Sequence, residues 1–102
     1  MIGLGTWKFN VDTMFYKGEA LLTISDEEGN YGVNCELKEM DLGMQIVSIN
    51  EENGDTLSGT ATISLLKGKE VDFTVTFADE AANGLLKVPF IGKIKLKDGQ
   101  RA

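Results

Sequence analysis

The sequence predicts an all-β fold: an up-and-down antiparallel β-barrel of seven or eight strands, in a single domain that covers residues 1–102. Apolar and polar side chains alternate along most of the chain, as they do in antiparallel strands with one buried face. Turn signals recur about every 8–12 residues, which is the spacing of barrels and sandwiches. Short connections pair each strand with the next one. The shared apolar face must then be hidden, either by closure into a barrel or by packing against a second copy.

Three strands are predicted in the N-terminal part of the chain. The first carries Trp7, Phe9 and Val11 on one face. The second covers residues 16–24, and the acidic turn "SDEEGN" leads from it to a third strand over residues 31–37. The carboxylates of that turn lack the ligand spacing of a calcium loop, so we interpret them as a solvated turn.

In residues 44–50 the alternation of apolar and polar side chains is interrupted. Met44 and Ile46 fit one face of a strand, but Val47 and Ile49 shift the alternation. This irregularity predicts either a β-bulge near Val47 or a strand edge that is buried on both sides. The following residues "NEENGD" form the strongest turn signal in the chain.

Three further strands are predicted in the C-terminal part, at residues 57–65, 71–77 and 86–97. Between the last two, "ADEAANG" indicates a short helical turn that ends at Gly84. Pro89, the one proline of the chain, falls on the outward face of the last strand. A proline in that place indicates a sheet edge or a bulge.

Composition excludes several kinds of activity. The sequence contains no histidine, which removes Ser-His-Asp and Cys-His nucleophile activation and all histidine metal ligands. A single cysteine, Cys35, rules out an internal disulfide and a thiolate zinc cluster. We therefore expect a protein that is not an enzyme and that uses neither a metal nor a cofactor. The remaining enzymatic alternative is acid–base chemistry by carboxylates or tyrosine inside the barrel, and alternation places nearly all carboxylates outside.

Charge and hydropathy limit the partners. The net charge of −6 argues against nucleic acid as a partner, because non-specific binding needs a basic surface. No apolar run is long enough for a membrane helix, and the first residues lack the pattern of a signal peptide. The sequence thus predicts a cytoplasmic protein without a membrane partner.

The predicted inner face combines small residues with aromatic ones. The small residues indicate one of two arrangements. Either they leave space for a small apolar cavity, or they alternate with large residues so that a narrow barrel is filled, and the filled core is the favoured interpretation. If a cavity exists, few polar groups face it, so its ligand would be small and mostly apolar. The candidate ligand-binding residues are Trp7, Phe9, Tyr16, Tyr31, Gly59, Phe73 and Phe90.

The triplet Gly5-Thr6-Trp7 on the first strand resembles the start of calycin-type barrels, which are the lipocalins, fatty-acid-binding proteins and avidins. The predicted up-and-down strand order is similar to theirs as well. In those families the tryptophan closes the base of the barrel, so the resemblance implies that role for Trp7. Arg101, the only arginine, is expected to reach this base, since the last strand of a closed barrel lies beside the first.

The outward face suggests a second kind of function. Lys87, Lys93, Lys95 and Lys97 form a basic stripe, which we interpret as plain surface or as protection of an edge strand. Outward Leu21, Pro89 and Ile91 are candidates for a dimer contact.

The sequence thus leads to two function hypotheses. The first is a non-enzymatic, lipocalin-like protein, monomeric or homodimeric, that binds a small apolar ligand. The alternative is a protein-interaction or structural module that acts through its surface, as a homodimer or with an acidic partner.

Overall fold

The computed structural model describes residues 1–13, 17–37, 40–41, 43–64, 67–89 and 92–102. Nine strands and no α-helix are found within these ranges. The strands are β1 (Gly5–Asp12), β2 (Lys17–Glu27), β3 (Asn30–Leu37), β4 (Met40–Asp41), β5 (Met44–Glu52), β6 (Thr56–Ile63), β7 (Lys69–Ala78), β8 (Ala81–Val88) and β9 (Gly92–Arg101). Within the same ranges, no helix is long and apolar enough to span a membrane.

All strands belong to one antiparallel sheet that curls into a nearly closed barrel. The order is β4-β3-β2-β1-β9-β8-β7-β6-β5, so the first and last strands of the chain pair with each other. Strand β4 has only two residues and extends the edge at the end of β3. Eight longer strands therefore make up the barrel, and the up-and-down architecture predicted from the sequence is confirmed.

One pair of neighbouring strands lacks a backbone ladder. Strands β3 and β5 stand at opposite ends of the sheet order and approach each other without pairing. Strand β4 pairs with Glu36 and Leu37, which leaves Asn30–Cys35 of β3 facing Met44–Glu52 of β5. We call this junction the seam.

The inner face matches the alternation of the sequence. The buried apolar side chains of β1, β2, β6 and β7 are those that the alternation places on the inward face, and Thr56 of β6 is buried as well. The hydrophobic core comprises Trp7, Phe9, Val11, Ala20, Leu22, Ile24, Cys35, Leu57, Ile63, Val71, Val75, Phe77, Ala82, Val88 and Leu96. The alternation of the sequence places all of these residues except Ala82 on the inward face.

The C-terminal part differs from the prediction. The segment predicted as one strand is two strands, β8 and β9, which meet at a turn after Val88, and exposed Pro89 belongs to that turn. Val88 pairs with Gly92, four positions later, so the inward residues have even sequence numbers on both strands. Alternation therefore runs unbroken across the hairpin and hides it in the sequence.

The predicted helical turn before Gly84 is wrong. Asp79 and Glu80 form a two-residue turn between paired Ala78 and Ala81, and Asp79 has a positive φ of 55°. Strand β8 then begins at Ala81. On β9, Gly99 lies opposite Ala82 in a close approach: a Cβ there would lie 2.4 Å from the ring of Phe9 and from the carbonyl oxygen of Ala82.

The irregular stretch 44–50 contains the predicted bulge. The register between β5 and β6 shifts between Ile46 and Ser48, and the extra residue Val47 is 56 % exposed. Opposite the bulge, a Cβ on Gly59 would lie 2.0 Å from the carbonyl oxygen of Ser48. Gly59 is therefore required by the close approach of β5.

The basic stripe does not protect an edge. Lys87 lies on β8 and the other three lysines on β9, and both strands are paired on both sides. Lys87 and Lys93 stand directly opposite each other, and in the described chain no carboxylate is within ion-pair distance of the stripe.

The predicted dimer patch does not form in the described residues. Leu21 pairs with Lys8, and Lys8 in turn pairs with Gln100 near the end of β9. Pro89 lies in the turn before the start of β9, so Leu21 and Pro89 are far apart along that strand. Ile91 lies outside the described residues.

Candidate functional site: the barrel interior and the seam

Trp7 closes one end of the barrel, which we call the base. Its side chain is 1 % exposed, and its Nε1 donates a hydrogen bond of 2.8 Å to the carbonyl oxygen of Gly3. The ring of Phe77 lies 4.9 Å away, centroid to centroid. The guanidinium of Arg101 stacks over the indole, with 4.5 Å between Cζ and the ring centroid. The expectation that Arg101 reaches the base is thus confirmed.

The first four residues cover the base. The backbone N–H of Ile2 donates to the Tyr31 hydroxyl at 2.6 Å, and Arg101 Nη1 donates to the carbonyl oxygen of Leu4 at 2.7 Å. Gly3 has a φ of 68°, and a Cβ there would lie 2.5 Å from the Phe77 ring. The base is therefore a closed structural end rather than an entrance.

Arg101 is expected to stabilise this base. The variant Arg101→Gln loses the stacking on Trp7, the bond to Leu4 and the 3.0 Å ion pair with exposed Glu80. We expect a loss of about 1–2 kcal/mol in the free energy of unfolding, most of it from the first two contacts. Urea denaturation checks this value, with Lys97→Gln as a control that removes a positive charge elsewhere on β9. Equal stability of the two variants would contradict the assigned role.

The barrel interior contains a small apolar gap, which we call the interior gap. Its volume is about 20 Å³, close to that of a single water molecule and far below the roughly 300 Å³ of a ligand pocket. The gap is lined entirely by apolar side chains and Cys35: Leu22, Ile24, Val33, Cys35, Met44, Leu57, Phe73, Val75, Leu86 and Leu96. In this conformation the interior gap is too small to hold a ligand.

A larger cleft lies outside, along the seam. This seam cleft has a volume of about 400 Å³ and is lined by the outer faces of β2 and β3 and by the start of β5. Its lining residues are Thr23, Ser25, Glu27, Tyr31, Gly32, Val33, Asn34, Met44, Gln45 and Ile46. Val33 and Met44 line both the cleft and the interior gap. These two side chains therefore form the wall between the core and the cleft.

A side-chain hydrogen bond bridges the seam near the base. The Tyr31 hydroxyl donates to the carboxylate of Glu51 and accepts the bond from Ile2, so it joins β3, β5 and the N-terminal segment. Burial raises the pKa of Tyr31, and so do the hydrogen bond and the charge of Glu51. The phenol therefore remains a hydrogen-bond donor throughout the neutral pH range.

The candidate ligand-binding residues do not share one site. Phe73 lines the interior gap and Tyr31 lines the seam cleft. Trp7 and Phe9 are packed into the core near the base and line neither space. Gly59 lies beneath the β5 bulge, and Tyr16 and Phe90 fall outside the described residues.

Sequence reasoning missed the residues that frame the seam. Asn34, Gln45 and Glu51 sit on strands β3 and β5, and nothing in their local pattern marks them as neighbours across an unpaired junction. The phase shift near Val47 was the available signal, because a bulge on β5 indicates an irregular or terminal strand.

Two further features carry no site. Cys35 is buried in the core. Across the described ranges, no cluster of three or more cysteines and carboxylates is arranged to hold a metal ion, the "SDEEGN" turn included.

Comparison of the chain with protein-family models, with curated proteins and with solved structures found no match.

Proposed function

We propose that the protein binds a small, mostly apolar ligand without catalysing a reaction, and that the ligand enters the barrel interior through the seam. The observation that carries this proposal is the shared wall: Val33 and Met44 separate an apolar core from an open cleft. Elsewhere, opening the described barrel would break a backbone ladder, whereas parting β3 from β5 breaks none.

The architecture supports the same function. A nearly closed up-and-down barrel whose base is sealed by Trp7 and Arg101 is compatible with a calycin-like ligand binder. Because the interior gap is small at rest, ligand uptake requires the seam to widen so that the gap and the seam cleft become one space.

The test uses the neutral fluorescent probe N-phenyl-1-naphthylamine. Met44→Ala removes most of the wall on the β5 side, so we expect faster probe association and several-fold tighter binding than in the unchanged protein. The matched control is Val47→Ala, three residues along β5, because Val47 is exposed and lines neither space. Stopped-flow fluorescence measures both quantities.

A second variant pair tests the site from β3. Val33→Asp places a charge in the wall and is expected to weaken probe binding at least about tenfold, while Asn30→Asp, at an exposed position of β3 that lines neither space, leaves it unchanged. Thermal melting verifies that both variants are folded. Equal probe binding by all four variants would contradict the proposal.

A further inference from the structure

The seam offers two free strand edges in addition to a route into the core. In the described chain, residues 30–35 of β3 and residues 44–52 of β5 each pair with a strand on one side only. A strand edge presents unpaired backbone N–H and C=O groups, and an extended peptide can add to it as a further strand. The seam cleft provides about 400 Å³ beside these edges.

The cleft also carries unused amide groups. Asn34 on β3 and Gln45 on β5 line it from opposite sides, and within the described chain neither side chain has a hydrogen-bond partner. Both amides can donate and accept, so they suit the backbone or side-chain amides of a peptide.

The charge of this side of the barrel determines which peptide fits. Residues 17–66, which include β2 to β6, contain ten carboxylates and two lysines, whereas residues 67–101 contain five carboxylates and seven basic residues. Glu27 lines the cleft itself, and Glu36 stands on β3 beside Asn34. Two copies that paired through this edge would bring like charges together, whereas a basic chain is attracted to it.

We propose that the seam cleft binds an extended, lysine- or arginine-bearing segment of another polypeptide, which adds as a strand along β3 beside residues 44–46 of β5. This site is the outer cleft, which shares the wall formed by Val33 and Met44 with the apolar interior, but the inference does not rest on ligand uptake. It gives the protein-interaction function a defined surface and a basic partner; the acidic partner expected from the lysine stripe would meet the opposite side of the barrel.

The test titrates the protein with a synthetic peptide of alternating lysine and valine residues. Backbone amide signals of residues 30–35 and 44–46 are expected to shift in two-dimensional NMR spectra, and amides on the free edge of β3 are expected to become protected from hydrogen exchange. A peptide with the same sequence but N-methylated at alternate positions cannot donate the ladder bonds. It is expected to bind at least about tenfold more weakly.

Charge variants provide the second arm. Glu27→Gln combined with Glu36→Gln is expected to weaken the peptide about fivefold, while Glu70→Gln on β7 changes the affinity little. The proposal is overturned if the N-methylated peptide binds equally well, because binding is then electrostatic only. It is also overturned if a glutamate–valine peptide competes equally, or if sedimentation shows that a second copy occupies the seam. Probe uptake is measured without peptide, so the failure of this proposal and the failure of the proposed function are distinguishable.

Discussion

Replacement of Trp7 by alanine is expected to lower the free energy of unfolding by about 3–5 kcal/mol, the range for a buried aromatic side chain truncated in a core. The indole is fully buried, contacts Phe77 and Arg101, and holds Gly3 through its N–H. Its loss removes the packing surface of the base and one anchor of the N-terminal segment.

Chemical denaturation measures this loss, and Trp7→Phe serves as the conservative variant. Phenylalanine keeps most of the apolar contact but cannot donate to Gly3, so we expect it to recover more than half of the stability. A loss below about 1 kcal/mol for Trp7→Ala would contradict the role of Trp7 as the closure of the base.

Replacement of Gly59 by alanine is expected to destabilise the barrel by about 3 kcal/mol, the upper end of the range for overpacking. The new Cβ would lie 2.0 Å from the Ser48 carbonyl oxygen and 2.9 Å from the Ile49 Cα, and both are backbone atoms of the bulged strand. Backbone cannot move aside as a side chain can, so β5 must shift away from β6.

Gly84→Ala is the matched control for this variant. Its Cβ would meet the flexible Leu96 Cδ1 at 3.0 Å, and we expect a much smaller loss of stability. Thermal denaturation of the two variants gives the comparison. Equal stabilities would show that the bulge tolerates a side chain at Gly59 and that this glycine has another purpose.

Most of the fold could be read from the sequence because alternation reports directly on the buried face of a strand. The inward residues of β1, β2, β6 and β7 follow from period two alone. Connections between strands are harder to predict. Only when the two paired residues beside a turn are an odd number of positions apart does the alternation of inward and outward residues shift by one. Glu27 pairs with Asn30, three positions on, and the inward parity switches visibly between β2 and β3.

The hairpin at Pro89 shows the opposite case. Val88 pairs with Gly92, an even separation, so the alternation continues and no break marks the turn. Proline was the remaining signal, and it indicates a turn as readily as an edge. The alanines at 81 and 82 favour a helix intrinsically, but both lie in a strand that is paired with β7 and β9, so sheet pairing overrides this propensity.

The site was less predictable than the fold. Trp7 and Arg101 met at the base because the first and last strands of a closed barrel pair, which is a topological consequence. The seam has no such rule. The curvature of the whole sheet determines which two strands remain unpaired, and so does the direction that β5 takes after the bulge at Val47. Neither the curvature nor this direction can be predicted from the local sequence.

The most direct test of ligand uptake through the seam is an NMR measurement of where the apolar probe lies. Nuclear Overhauser contacts between N-phenyl-1-naphthylamine and the methyl groups of Leu57, Val75 and Leu96 would place the probe inside the barrel, beyond the wall of Val33 and Met44. The account predicts these contacts, together with contacts to both wall residues. Contacts confined to exposed methyl groups such as those of Val47 and Leu21 would contradict it.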